Sequence, residues 1–287
     1  MVRGMWIGLA VVALPAPAAA KEQAPEVLKR TGAWIADYDD DACHLAAQFG
    51  DVKNPVVLRI TRYEPSESFM LGLYGRRVSS TELRTKVKLD FGLSAEPIEV
   101  ESVNGNAGKL KALWVSGVRF DNGWSERDGN APALTPEREA SISGLTVTLQ
   151  HRKPFRLDFG GFGKAMAQLR ACQTHLVKSW GYDPEEQASL SRPARGRQAP
   201  AQWLSASDYP MQAVRMGHNG FVQFRLDVDE TGKITGCHVL DRTNPDDFAD
   251  LTCKLVARRA KLEPALNAAG KPVRSYIVQR VTWQVAS

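Results

Sequence analysis

Gly220-Phe-Val-Gln-Phe-Arg-Leu-Asp-Val-Asp-Glu-Thr-Gly-Lys-Ile-Thr-Gly-Cys-His-Val-Leu240 decides the reading of this chain. Val222, Phe224, Leu226 and Val228 alternate with Gln223, Arg225 and Asp227, the period-two pattern of a strand that buries one face. Asp229-Glu-Thr-Gly232-Lys233 has the chemistry of a tight reversal, because glycine takes a positive φ at little cost. Residues 234–240 then read as the returning strand. Working outward, residues 209–217 read as a short helix. Residues 245–262 read as a longer one, with Phe248, Leu251, Leu255 and Leu262 along one stripe. Beyond Gly270-Lys-Pro272, residues 273–285 read as a long closing strand.

These residues resemble the TonB C-terminal domain family. The likeness is carried by Tyr209-Pro210 before a small helix, by the strand–Asp-x-x-Gly–strand hairpin, and by Leu262-Glu-Pro264-Ala265 running into Gly270-Lys-Pro272-Val273. It covers residues 203–287 and implies an α+β domain, an antiparallel sheet with helices on one face. In that family the final strand pairs with the TonB box of an outer-membrane receptor. The resemblance carries that role onto Ser275, Tyr276, Ile277, Val278, Gln279, Arg280 and Val281, with Arg274 and Arg280 offering charge alongside.

The amino terminus adds a compartment. Arg3 precedes an apolar run over residues 5–14, and Ala18-Ala-Ala20 offers small residues before Lys21. This is the pattern of a secretory signal peptide over residues 1–20. The run is shorter than the roughly 20 residues that span a bilayer. The mature chain is thus expected in a bacterial periplasm, with inner-membrane anchoring only if the signal stays uncleaved. Four cysteines, an even number in an exported chain, favour disulfides. Three pairings exist, and the domain arrangement prefers Cys43–Cys172 and Cys237–Cys253. On an ideal helix Cys253 lies about 140° round from Phe248, off the apolar stripe.

The chain of 287 residues suits two ordinary domains. Residues 21–32 are polar and read as a flexible lead-in. Residues 33–181 read as a β-rich domain, with strands expected over 34–38, 55–62, 68–74, 86–91, 98–103, 109–115, 145–151 and 155–159. One helix over 161–180, with Phe162, Ala165, Met166, Leu169, Cys172, Leu176 and Trp180 on one stripe, is expected to lie across that sheet. Residues 182–202, with Pro184, Pro193 and Pro200 among Arg192, Arg195 and Arg197, read as a linker.

The candidate chemistry is thin. Asp37, Asp39, Asp40 and Asp41 lack the glycine and the distal glutamate of a Ca²⁺ loop and read as a solvated turn. Gly160-Gly-Phe-Gly163-Lys164 departs from a phosphate loop, and Ala165 stands where a Mg²⁺-holding hydroxyl belongs. His44, His151, His175, His218 and His238 show no metal spacing, and the cysteines match no zinc module. No nucleophile elbow is present. Trp114, Trp124, Trp180 and Trp283 read as core or edge aromatics. The formal charge of +5 is spread along the chain without a basic–aromatic block, which disfavours nucleic acid. No cofactor, metal or enzymatic activity is expected.

The expected function is therefore a non-catalytic periplasmic interaction module, binding an extended peptide by β-augmentation in TonB-dependent transport. An envelope-assembly role without a receptor is the alternative, and an exported hydrolase in the amino-terminal half the third. The cleavable leader and the lack of a long Pro-rich spacer set the chain apart from TonB proteins, so energy transduction by it alone is not expected.

Overall fold

The computed structural model of the chain describes residues 24–94, 96–121, 133–243 and 248–285. The residues expected to form a signal peptide, Trp124 and the start expected for the second long helix lie outside them.

Among the described residues the first half forms ten strands and two α-helices. In chain order they are β1 (Glu26–Lys29), β2 (Ile35–Tyr38), β3 (Cys43–Phe49), β4 (Val56–Arg62), β5 (Phe69–Tyr74), β6 (Arg84–Asp90), β7 (Ile98–Ala107), β8 (Leu110–Val118), α1 (Pro136–Ala140), β9 (Gly144–Leu149), β10 (Phe155–Asp158) and α2 (Gly163–Ser179). The sheet order is β1-β10-β9-β6-β7-β8-β5-β4-β3-β2. The chain leaving β1 then reaches back to β3: Arg30 bridges Phe49, and the Thr31 N–H donates to the Gln48 carbonyl at 2.8 Å. This contact draws the two ends of the sheet together.

Alternate residues of the strands, among them Leu45, Leu58, Ile60, Leu71, Leu73, Leu113 and Leu145, are fully buried inside. Each such side chain contributes about 1.5–3 kcal/mol of transfer free energy. α2 covers this core through Met166, Leu169, Cys172 and Leu176 and packs on β2 and β3. Cys43 and Cys172 are disulfide-bonded, as the pairing by domain expects. Trp34, Phe159 and Phe162 meet edge-on or tilted with centroids 4.9–5.3 Å apart beside the start of α2.

Three expectations need correction here. Residues 26–29 of the supposed flexible lead-in form β1, held in parallel register to β10. Residues 43–49, for which no strand is expected, are β3, with Cys43, Leu45, Ala47 and Phe49 turned inward. Residues 182–202 are a folded strap and not a loose linker. It contains α3 (Pro184–Ala188) and β11 (Arg195–Gly196), and Arg192 and Arg195 pair with Glu263.

The remaining elements are α4 (Met211–Met216), β12 (Gly220–Val228), β13 (Ile234–Arg242), α5 (Ala249–Arg259), β14 (Leu262–Glu263), β15 (Ala265–Leu266), β16 (Pro272–Val273) and β17 (Ser275–Trp283). A three-stranded antiparallel sheet has the order β13-β12-β17. Its inner face, with Val222, Phe224, Leu226 and Val228, packs with Leu255 and Val256 of α5 in a second core. Trp283 stacks on Phe248 and donates its indole N–H to Thr252 at 3.0 Å. At the hairpin turn Gly232 has φ +84°, and Asp229 Oδ1 accepts from the N–H of Thr231 and of Lys233, both at 2.9 Å. A Cβ at Gly232 would also stand 2.6 Å from the Leu262 carbonyl, so both backbone and space require glycine. α5 stops at Arg259, so Leu262 belongs to β14, which pairs with β11 of the strap. Cys253 reaches Cys237 on β13, forming the second disulfide. Among the described residues no helix is long and apolar enough to cross a membrane.

Candidate partner-binding edge

β17 pairs with β12 through nine residue pairs, from Ser275–Val228 to Trp283–Gly220. Its other side carries no strand among the described residues. Tyr276 to Arg280 are thus not held between two strands of the chain. Strand geometry tells which backbone groups are left over. The Phe221 carbonyl accepts from the Thr243 N–H, on the β13 side, so alternation turns Gly220, Val222, Phe224, Leu226 and Val228 toward β17. Their partners Ser275, Ile277, Gln279, Val281 and Trp283 therefore bond inward. The N–H and C=O groups of Tyr276, Val278, Arg280 and Thr282 point to the open edge.

The seven residues singled out from the sequence do not share one environment. Ser275 is buried, its hydroxyl donating to Gln187 of the strap at 2.6 Å and its carbonyl accepting from Tyr182 at 3.0 Å. Tyr276 meets Trp180 edge-on at 5.1 Å and Tyr182 at 5.2 Å. Ile277 and Val278 are buried, while Gln279, Arg280 and Val281 are half-buried. Thr282, just past the expected span, is exposed. The strap and α2 thus crowd the beginning of the strand, and its later half is the more open. Arg274 sits back, over the Tyr182 ring at 5.5 Å.

The polar face of this sheet lies against the first half of the chain. Cross-strand partners share a face, so Arg280, Gln223 and Asp241 point the same way, as do Val278, Arg225 and His238. Arg280 lies over the Phe221 ring at 3.8 Å and reaches Met70 Sδ on β5 at 3.7 Å. Burial lowers its pKa, although Tyr63 and Asp241 oppose the shift. The Tyr63 hydroxyl donates to Asp241, and burial together with that carboxylate raises the phenol's pKa. Arg225 stacks on Trp180 at 4.5 Å. Asp227 accepts from Arg225 and Tyr182, each at 2.9 Å, and its Oδ2 lies 2.7 Å from His238 Nε2. Burial pushes the Asp227 carboxyl up, but these partners outweigh it and hold it below the usual carboxylate range. Nothing in the sequence pattern singles out Tyr63 or Tyr182. Only the position of Trp180 at the end of the α2 stripe hints at this contact.

Elsewhere the chemistry stays sparse. Among the described residues no three His, Cys, Asp or Glu side chains are grouped to hold a metal ion. His44 Nδ1 is 3.0 Å from Thr61 Oγ1 and its Nε2 is 3.7 Å from Asp39, the connectivity of a hydroxyl–base–acid relay. Thr61 is 1% exposed, however, so no substrate carbonyl can approach its oxygen. Burial lowers the His44 pKa, with Arg59 adding to the shift.

Residues 205–285 match the family model described as Gram-negative bacterial TonB protein C-terminal. Neither a curated protein nor a solved structure matches the chain. The matched family is a non-enzymatic interaction domain of bacterial envelope transport. The hairpin, the helix α5 and the edge strand β17 all fall inside the matched segment, and residues 205–285 are accordingly a TonB C-terminal domain.

Proposed function

We propose that this chain is a non-catalytic periplasmic interaction module whose β17 edge adds an extended peptide strand, the partner being the TonB box of an outer-membrane receptor. The observation that carries the reading is the outer side of β17, which carries no strand among the described residues, within a TonB C-terminal domain. Unpaired N–H and C=O groups in strand geometry form a template for a visiting backbone, with main-chain bonds giving affinity and alternate side chains giving selectivity. A two-domain organisation fits the two separate apolar cores, one drawn from Leu28 to Leu176 and one from Ala194 to Trp283.

The test is amide exchange by NMR on the full mature chain with a synthetic TonB-box peptide. The amides of Val278, Arg280 and Thr282 are expected to slow on binding, while those of Ile277, Gln279 and Val281 change little because β12 already pairs them. Uniform small shifts without protection of the outward amides would remove edge pairing as the mode of recognition.

A further inference from the structure

The outer face of the first sheet carries a row of side chains that continues from the edge just described. Cross-strand register aligns Arg59 (β4), Gly72 (β5), Trp114 (β8), Val103 (β7) and Arg84 (β6). All five face outward, because their chain neighbours Leu58, Leu73, Leu113 and Ser102 are buried inside. Two contacts locate β17 against this row. Arg280 touches Met70, two residues from Gly72 on β5, and the Gln284 side chain accepts from Arg84 on β6 at 3.0 Å. From β5 to β6 the sheet order counts three strand spacings, about 14 Å. From Arg280 to Gln284 an extended chain covers about 13 Å. β17 therefore runs across the strands of the first sheet rather than along them.

The direction of its open side follows. Tyr63, the residue that follows β4, lies under Asp241 of β13, while Thr61 on β4, the partner of Met70, lies near Arg280 of β17. Moving back from Tyr63 into β4 at Thr61 is thus moving from β13 toward β17. One step further is Arg59, and with it the row Gly72, Trp114 and Val103. A strand added to β17 would sit about 4.8 Å beyond it, above that row.

The floor found there is apolar with one cation. Tyr74 lies over Gly72, where a Cβ would stand 2.6 Å from its hydroxyl, and Trp114 lies over Gly105, where a Cβ would stand 3.1 Å from the ring. The Trp114 indole N–H donates to the Tyr74 hydroxyl at 3.2 Å, which fixes the two rings as a half-exposed shelf. Val103 beside them is 40% exposed. Arg59 is half-buried, and no carboxylate lies within ion-pair distance of it among the described residues. A half-buried guanidinium beside an apolar shelf favours a partner that supplies the missing anion.

We infer that the first half of the chain selects the peptide that pairs with β17, taking an extended segment with an acidic side chain over Arg59 and apolar or aromatic side chains over the Tyr74–Trp114 shelf and Val103. The inference rests on the edge-pairing reading above and adds the partner's chemistry to it. The row from β4 to β7 spans about 14 Å, so the apolar positions fall about two and four residues from the acidic one, on one side of the visiting strand.

The experiment uses the full mature chain and fluorescence anisotropy. The probe is a fluorescein-labelled decapeptide, Gly-Ser-Glu-Thr-Val-Thr-Phe-Thr-Gly-Ser, with a second of reversed order because the pairing direction is open. Each is compared with a version carrying Gln for Glu. At least one acidic peptide is expected to bind about tenfold more tightly than its Gln version. Arg59→Gln should abolish that difference. Trp114→Ala should weaken both versions about tenfold. Val103→Ser, at an exposed site that spares the fold, should weaken both by a smaller factor. Thr282→Pro, which removes an outward N–H, should weaken both versions. If Thr282→Pro weakens binding but Arg59→Gln, Trp114→Ala and Val103→Ser do not, edge pairing stands and selection by the first half is overturned. If peptides bind and Thr282→Pro has no effect, the edge itself is the wrong site. Absence of binding by both acidic peptides at millimolar concentration also overturns the proposal.

Discussion

Ionisable residues at the contact between the two sheets set how the molecule responds to pH. Asp227 is held charged by Arg225, Tyr182 and His238. Glu64 is the opposite case: burial alone pushes its carboxyl from 4.5 up to about 7. It lies near Tyr276, whose phenol is raised by burial and by the Glu64 charge. Because the folded-state value exceeds the ordinary one, the folded chain holds this proton more tightly than the unfolded chain does. The Glu64 contribution is therefore greatest below pH 4.5 and is lost as pH rises through 7. His44 has the opposite sign, since its lowered pKa costs stability as pH falls below 6.5. Comparing wild type with Glu64→Gln isolates the carboxyl. Urea titrations should find the two proteins near equal in their pH dependence below pH 4.5. By pH 8 the wild type should have lost about 1–3 kcal/mol relative to the variant. A difference that does not change with pH would show that Glu64 titrates normally.

At the scale of strands and helices, the edge and the ladder of β17 should answer differently to proline. Thr282 turns its N–H outward, so Thr282→Pro should cost less than about 1 kcal/mol of stability, whereas Val281 bonds toward β12 and Val281→Pro should cost about 3 kcal/mol or more. Thermal melts of the two variants check the assignment, and a larger loss for Thr282→Pro than for Val281→Pro would mean that the alternation runs the other way. What can be read in advance divides along similar lines. The β12–β13 hairpin is legible because its alternation is unbroken and its turn chemistry is local to Asp229 and Gly232. β3 is obscured by Ala46-Ala47, which blunt the contrast between its faces, although Cys43, Leu45 and Phe49 keep the period. β1 has no local signal of its own; it is a strand because Phe155 to Asp158, far along the chain, present a free side. The strap misleads because arginine and proline suggest solvation, whereas Arg192 and Arg195 find Glu263 and Trp203 is 1% exposed in the second core. The open strand itself follows from family likeness. That its early residues are crowded by Gln187 and Trp180 depends on packing that no pattern in the sequence encodes.

For the molecule as a whole, the two cores are joined without a covalent clamp between them beyond the strap. One disulfide ties β3 to α2 and the other ties β13 to α5, each inside its own core. In the chain-entropy account they contribute about 5 and about 3 kcal/mol to their own halves. The coupling between halves then falls to noncovalent contacts: Tyr63 with Asp241, Arg280 with Met70, Arg84 with Gln284, and above all Trp180. Trp180 ends α2, belongs to the rim of the first core, and meets both Arg225 and Tyr276 of the second sheet. Such a residue transmits the loss of one core to the other, so the wild-type chain should melt in one calorimetric transition. Trp180→Ala removes a half-buried ring and its cation–π contact, at a cost of about 2 kcal/mol. The expected result is two resolved transitions, while Trp180→Phe, which keeps a ring against Tyr276, retains one. A Trp180→Ala chain that still melts in a single transition, merely at lower temperature, would place the coupling elsewhere along the junction. Because the proposed groove for a visiting strand is shared between β17 and the outer row of the first sheet, the uncoupled variant should also bind the acidic peptide more weakly, with the edge strand itself unaltered.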